Sequence, residues 1–219
     1  MYAVVVAASA GGLSALSELL SALPQEFPAP LILVQHLPAS DSYQSQLPQI
    51  LSRFTHLTVK WVEQDESLRA GNVYLAPQDV QTRVTSNLTF DISQNVRRWG
   101  ARPAADPLFS SVAEVFGRGA LAVVLTGVLS DGAIGAQKIA AAGGRVLIQN
   151  TETAEFFDMP LATLRKGVVD FMLSPIRIAH TLTALLMAPG ADAWFRVVNK
   201  LHFATPREAA LESALSSGN

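Results

Sequence analysis

Ser9, His36 and Asp131 are the side chains whose types and placement can combine into covalent chemistry. A serine hydroxyl becomes a useful nucleophile when a base accepts its proton. A neutral imidazole titrates near neutrality and can take that proton, then return it to a leaving alkoxide. A carboxylate behind the imidazole orients the ring and stabilises its charged form. Ser9 lies in Val4-Val5-Val6-Ala7-Ala8-Ser9-Ala10-Gly11-Gly12-Leu13, and His36 in Val34-Gln35-His36-Leu37-Pro38. Asp131 follows Leu121 to Thr126 through Gly127-Val128-Leu129-Ser130 and precedes Gly132-Ala133. Each residue follows an apolar run, Ser9 and His36 closely and Asp131 through a short loop. His56 in a loop, His180 in a helical pattern and His202 in the tail lack that position.

Each residue also has a plainer use. A serine before a helical run is a common helix cap, and a glycine turn opening a helix can cradle a phosphate as well as an oxyanion. A lone histidine in a loop is more often polar surface, and Asp131 is placed to cap the helix that follows it. Three such groups after three separate buried strands make a stronger signal than any one. The backbone N–H groups of Ala10 and Val128 are the candidates for an oxyanion hole. The order Ser, His, Asp and the absence of G-x-S-x-G at the serine exclude the α/β-hydrolase arrangement. Neither G-x-G-x-x-G nor G-x-x-x-x-G-K-[ST] occurs at that turn, which counts against a nucleotide-binding domain.

The elements that must carry these residues follow from hydrophobic patterning. Val4-Val5-Val6, Leu31 to Val34, Leu121 to Leu125 and Val146-Leu147-Ile148 are short apolar runs without polar alternation, as in strands covered on both faces. Helical patterns run from Leu13 to Leu23, Tyr43 to Phe54, Pro107 to Phe116 and Ala133 to Ala142. The alternation predicts a doubly wound α/β fold, a mostly parallel sheet flanked by helices. In such folds ligands bind at the carboxyl edge of the strands, where all three residues emerge. Val59 to Ile92 breaks the rhythm, and pieces such as Val73-Tyr74-Leu75 and Leu88-Thr89-Phe90 predict a small antiparallel excursion. Ser93 to Asp106 reads as an extended loop. The organisation expected is a catalytic domain over 1–186 and a helical appendage over 187–219.

Composition narrows the function further. The 219 residues carry 16 Lys plus Arg against 18 Asp plus Glu, so no overall basic field points to nucleic acid. Cysteine is absent, which removes disulfides, thiolate metal sites and a cysteine nucleophile. The run Tyr2 to Ala8 is far shorter than the ~20 residues that span a bilayer. No membrane insertion and a cytoplasmic location are expected.

Ala8-Ser9-Ala10-Gly11-Gly12, Gln35-His36-Leu37-Pro38, Tyr74-Leu75-Ala76-Pro77, Leu125-Thr126-Gly127 through Asp131-Gly132-Ala133, and Met159-Pro160 together resemble the CheB methylesterases, in order and spacing, from about Val4 to Leu173. Arg102-Pro103 followed by Asp106 fits the same pattern. The resemblance implies hydrolysis of glutamate γ-methyl esters on the cytoplasmic helices of methylated chemoreceptors, releasing methanol. Ser9 would be the nucleophile, His36 the base and Asp131 its orienting partner, with no metal or organic cofactor. Glutamine deamidation is a possible companion activity, and a methyltransferase a possible partner. The resemblance also assigns Arg102 to a loop near the site, where it would steer an acidic helix or pair with Asp106, and Met159-Pro160 to the cleft wall; Phe156 and Phe157 would line it too, although aromatic residues before a helix are more often core. Two departures stand out. Ala10 replaces a frequent threonine, and Val128-Leu129-Ser130 replaces Met-Gly-Asn or similar. The chain also starts at the catalytic strand, without the N-terminal receiver domain of many relatives. The altered loop and missing receiver suggest a competing reading, a catalytically silent domain that binds receptor or methyltransferase.

Overall fold

The computed structural model describes residues 1–36, 46–93 and 103–188. Seven strands form one parallel sheet: β1 (Ala3–Ala8), β2 (Leu31–Gln35), β3 (Thr58–Trp61), β4 (Asn72–Leu75), β7 (Ala120–Val124), β8 (Arg145–Gln149) and β9 (Phe171–Leu173). Their order is β3-β4-β2-β1-β7-β8-β9. The short strands β5 (Gln81–Val84) and β6 (Phe90–Ser93) make a separate antiparallel hairpin. Helices α1 (Gly12–Ser21), α2 (Leu47–Leu51), α3 (Ala105–Phe116), α4 (Ala133–Ala141), α5 (Asp158–Leu164) and α6 (Pro175–Met187) cover the sheet.

The apolar runs become central strands because both of their faces are covered. Along β1, Val4, Val6 and Ala8 join a cluster with Leu16, Leu19 and Leu20 of α1 and Ile178 and Leu182 of α6. Ala3, Val5 and Ala7 join the opposite cluster, with Leu108 and Phe109 of α3 and Ile139 of α4. Every β1 residue is fully buried. Burial of one such valine or leucine contributes about 1.5–3 kcal/mol, so these runs drive sheet formation.

The chain leaves β1 for β2 on one side and returns at β7 on the other, making β1 the point where strand order reverses. The carboxyl ends of β1, β2 and β7 therefore lie side by side, in register from Val4↔Leu31 and Ala3↔Ala120 onward. Ladder hydrogen bonds continue past the strand ends, from His36 N to the Ala8 carbonyl at 2.9 Å and from Ser9 N to the Thr126 carbonyl at 3.0 Å.

Part of the middle segment departs from expectation. Val73-Tyr74-Leu75 belongs to β4 in the main sheet, parallel to β2 and β3. All three residues are buried, which a two-sided strand requires. The antiparallel hairpin lies later, and Leu88 sits in its turn with φ 60°. Helix α3 starts at Ala105, two residues before the pattern predicts. Of the helix expected over Tyr43 to Phe54, α2 and a 3-10 turn (Ser52–Phe54) account for 47–54, while Tyr43 to Ser45 lie outside the described residues. The same holds for Gln94 to Arg102 and for 189–219, which contain most of the expected loop and appendage. Among the described residues no helix is long and apolar enough to cross a membrane.

Candidate active site

Ser9, His36 and Asp131 emerge from adjacent strands at the carboxyl edge, and each is partly exposed. His36 Nε2 lies 2.9 Å from Asp131 Oδ2, with side-chain exposures of 18% and 16%. Ser9 is tied to His36 through the backbone, because the Gln35 Nε2 group donates at 2.9 Å to both the Ser9 and His36 carbonyls. Among the described residues the Ser9 hydroxyl makes no hydrogen bond, so of the two expected links only His36–Asp131 is formed. In ligand-free sites such contacts are commonly long and tighten only around substrate.

Asp131 is held at both oxygens. Oδ2 accepts from His36 and from the Ala105 N–H at 2.6 Å, and Oδ1 from the Asp106 N–H at 3.1 Å and the Gly132 N–H at 3.0 Å. The helix it caps is therefore α3, reached across 26 residues; α4 begins after Gly132, which takes a left-handed φ of 91°. A carboxylate at a helix N-terminus also gains from the helix dipole. Burial pushes the Asp131 carboxyl up, but the hydrogen bonds from His36 and from the Ala105 and Asp106 N–H groups outweigh it and hold the carboxyl below its ordinary value. Asp106 goes the other way. Burial pushes its carboxyl up, the Gly135 N–H at 2.7 Å opposes, and the charge of Asp131 adds to the rise. Near neutrality Asp131 therefore faces His36 as a carboxylate.

With Nε2 engaged by an ionised carboxylate, the imidazole proton sits on Nε2. Nδ1, which makes no hydrogen bond among the described residues, is then the acceptor.

Two groups that sequence reasoning missed shape the Ser9 turn. The Thr126 hydroxyl lies 3.0 Å from the Ala10 carbonyl, 3.2 Å from the Phe156 carbonyl and 2.9 Å from the Phe156 N–H, which donates to it. Gln149 Oε1 accepts from the Thr126 N–H at 2.8 Å. The sequence signal for Gln35, Thr126 and Gln149 was the same: a polar residue ending an apolar run, where burial forces it to find a partner.

Gly127 is the close-approach position. A Cβ there would meet Met159 Sδ, and would come within 2.7 Å of Ser9 Cβ and 3.2 Å of Ser9 N. Met159 is fully buried and its N–H donates to the Gly127 carbonyl at 3.0 Å. Its side chain therefore packs against the Gly127 loop next to Ser9. Phe157 packs on the core, whereas Phe156 is exposed. Neither the Ala10 nor the Val128 N–H donates to another group among the described residues, and Val128 is exposed. Leu129 adopts a left-handed φ of 72° with its side chain in solvent. The loop thus keeps a glycine-like backbone at the cost of local strain. Arg102 lies outside the described residues.

The class so defined is a doubly wound α/β domain with a serine, a histidine–aspartate pair and free backbone N–H groups gathered at its switch point. Comparison with known proteins narrows it. The sequence model of the CheB methylesterase family matches residues 4–182. A putative protein-glutamate methylesterase/protein-glutamine glutaminase of Leptospira interrogans is 34% identical over 183 residues, covering 84% of this chain and 94% of that protein. A protein-glutamate methylesterase/protein-glutamine glutaminase of Myxococcus xanthus is 36% identical over 187 residues, covering 85% of this chain and 52% of that protein. The crystal structure of the Thermotoga maritima CheB methylesterase catalytic domain superposes with a TM-score of 0.81 at 33% identity, covering 84% of this chain and 98% of that one. The chain belongs to the CheB methylesterase family.

Proposed function

We propose that this protein is a carboxylic ester hydrolase that demethylates glutamate γ-methyl esters, with Ser9 as nucleophile, His36 as base and Asp131 as the group that orients the base. The observation that carries the reading is the His36–Asp131 pair at 2.9 Å, beside the Ser9 turn, in a chain of this family.

In the first half-reaction the Ser9 hydroxyl oxygen attacks the ester carbonyl as His36 Nδ1 takes its proton. Asp131 stabilises the resulting imidazolium through Nε2. The tetrahedral oxyanion is received by the Ala10 and Val128 N–H groups. Collapse breaks the bond to the methoxy oxygen, which leaves as methanol with the proton from Nδ1. Water, activated by the same nitrogen, then cleaves the Ser9 acyl ester and releases glutamate. A glutamine side chain can follow the same course with ammonia as leaving group, a second activity supported by the relatives' double name.

The substrates proposed are the cytoplasmic helices of methylated chemoreceptors, met in the cytoplasm, with a methyltransferase as opposing partner and residue 102 contributing to the docking of an acidic helix. The test is methanol release from methylated receptor by the wild-type and Ser9→Ala proteins. Release by the wild type alone is expected, with the variant's fold verified by circular dichroism. Equal release by both would exclude Ser9 chemistry.

A further inference from the structure

Glu155 stands over the serine turn. A Cβ placed on Gly11 would come within 2.8 Å of Glu155 Oε2 and 2.9 Å of Glu155 Cβ, and the Thr126 hydroxyl lies on the same side at 3.2 Å. Its neighbour Phe156 is bonded through both backbone groups to Thr126 and Gly127, so the chain at 155 is fixed against the Ala10–Gly11 turn. Among the described residues no cation pairs with the Glu155 carboxylate, and it makes no hydrogen bond to the first N–H groups of α1. Among the described residues, then, an unpaired and exposed carboxylate lies beside the Gly11 turn that opens α1.

We infer that Glu155 is a specificity-determining residue that repels anions from the Ser9 site, so that neutral esters enter and the carboxylate product is expelled. This rests on the function proposed above. Ester hydrolysis converts a neutral side chain into an anion held by the same N–H donors and by His36. Without a counteracting charge, the product would compete with substrate. The same repulsion acts on the tetrahedral oxyanion, so Glu155 lowers the intrinsic rate while it speeds clearance. For an exposed carboxylate such as Glu155, at an effective dielectric of about 40–80, a nearby like charge changes anion affinity by roughly two- to tenfold.

The experiment compares the wild-type, Glu155→Gln and Glu152→Gln proteins. Glu152 lies on the same segment, engaged at 3.0 Å by Asn150 Nδ2, and controls for net charge. Acetate and acetamide serve as anionic and neutral probes, first as inhibitors of p-nitrophenyl acetate hydrolysis. Glu155→Gln is expected to tighten acetate inhibition about two- to tenfold and raise kcat/KM, leaving acetamide unaffected and Glu152→Gln unchanged. At 1 M salt, where the screening length is about 3 Å, the difference should largely disappear. Unchanged acetate inhibition, an equal shift in both variants, or lower activity with a lower Tm would overturn the inference; the last would make Glu155 a stabiliser of α1. Acetate affinity is also measured by NMR titration of Ser9→Ala with and without Glu155→Gln. That comparison separates the two claims. If Ser9→Ala retained hydrolysis, the proposed function would fall while the anion effect could still be read.

Discussion

Replacing Asp131 by asparagine tests how one carboxylate serves both the fold and the base. The four groups aimed at it, His36 Nε2 and the N–H groups of Ala105, Asp106 and Gly132, are all donors, two to each oxygen. An asparagine offers one acceptor, so either orientation leaves two donors facing an amide NH₂. Leaving a buried donor unsatisfied costs about 1–3 kcal/mol, and the 16% exposure of Asp131 lets water recover part of this, so a loss of about 2–4 kcal/mol is expected. For a chain of this size that lowers Tm by about 4–16 °C. If the NH₂ group faces His36, it forces the ring proton onto Nδ1 and removes the acceptor that Ser9 needs, so kcat should fall by roughly 10³–10⁴-fold. The pH dependence has a definite sign. The folded Asp131 carboxyl lies below its ordinary value, so its stabilising contribution is full above about pH 5 and is lost as pH falls through the folded value. The Tm gap between wild type and Asp131→Asn should be constant near neutrality and close in acid. Differential scanning calorimetry against pH, with esterase assays, measures both effects. A variant that melts within about 1 °C of wild type at pH 7 and keeps its kcat would refute the reasoning.

Two further substitutions probe the loop behind Ser9. Gly127→Ala drives a methyl group against Ser9 Cβ and Met159 Sδ, and should lower stability by about 1–3 kcal/mol and displace the nucleophile, seen as a loss in kcat with the fold retained. Leu129→Gly relieves a left-handed backbone that costs a non-glycine residue about 1–2 kcal/mol, partly offset by the greater freedom of glycine in the unfolded chain. A Tm equal to or above wild type is expected, and a clear fall would show that the exposed Leu129 side chain packs on something essential.

The sheet was legible because its strands are buried on both faces, which writes Val4 to Ala8 and Leu121 to Val124 as unbroken apolar runs. The edge positions of Ser9, His36 and Asp131 followed from those runs. What escaped prediction depends on partners distant in sequence. Helix α3 has no side-chain cap of its own, and its start is fixed by Asp131 from the β7 loop. Val73 to Leu75 resembled a hairpin piece because turn residues flank it, and only its position between β2 and β3, distant in the chain, decides that it pairs in parallel. The packing of the buried Met159 against Gly127 likewise joins residues distant in sequence. The nearness of Glu155 to Gly11 had no local signature, since the two residues meet only through folding.

The central claim is that Ser9 is the reactive hydroxyl, activated by His36. Its most direct measurement is peptide mapping by mass spectrometry after exposure to a serine-directed phosphonate ester, using wild-type and His36→Ala proteins. A single adduct is expected on the peptide carrying Ser9, formed at least about 10²-fold more slowly without His36. Labelling at another serine, or equal labelling of Ser9 in both proteins, would contradict it.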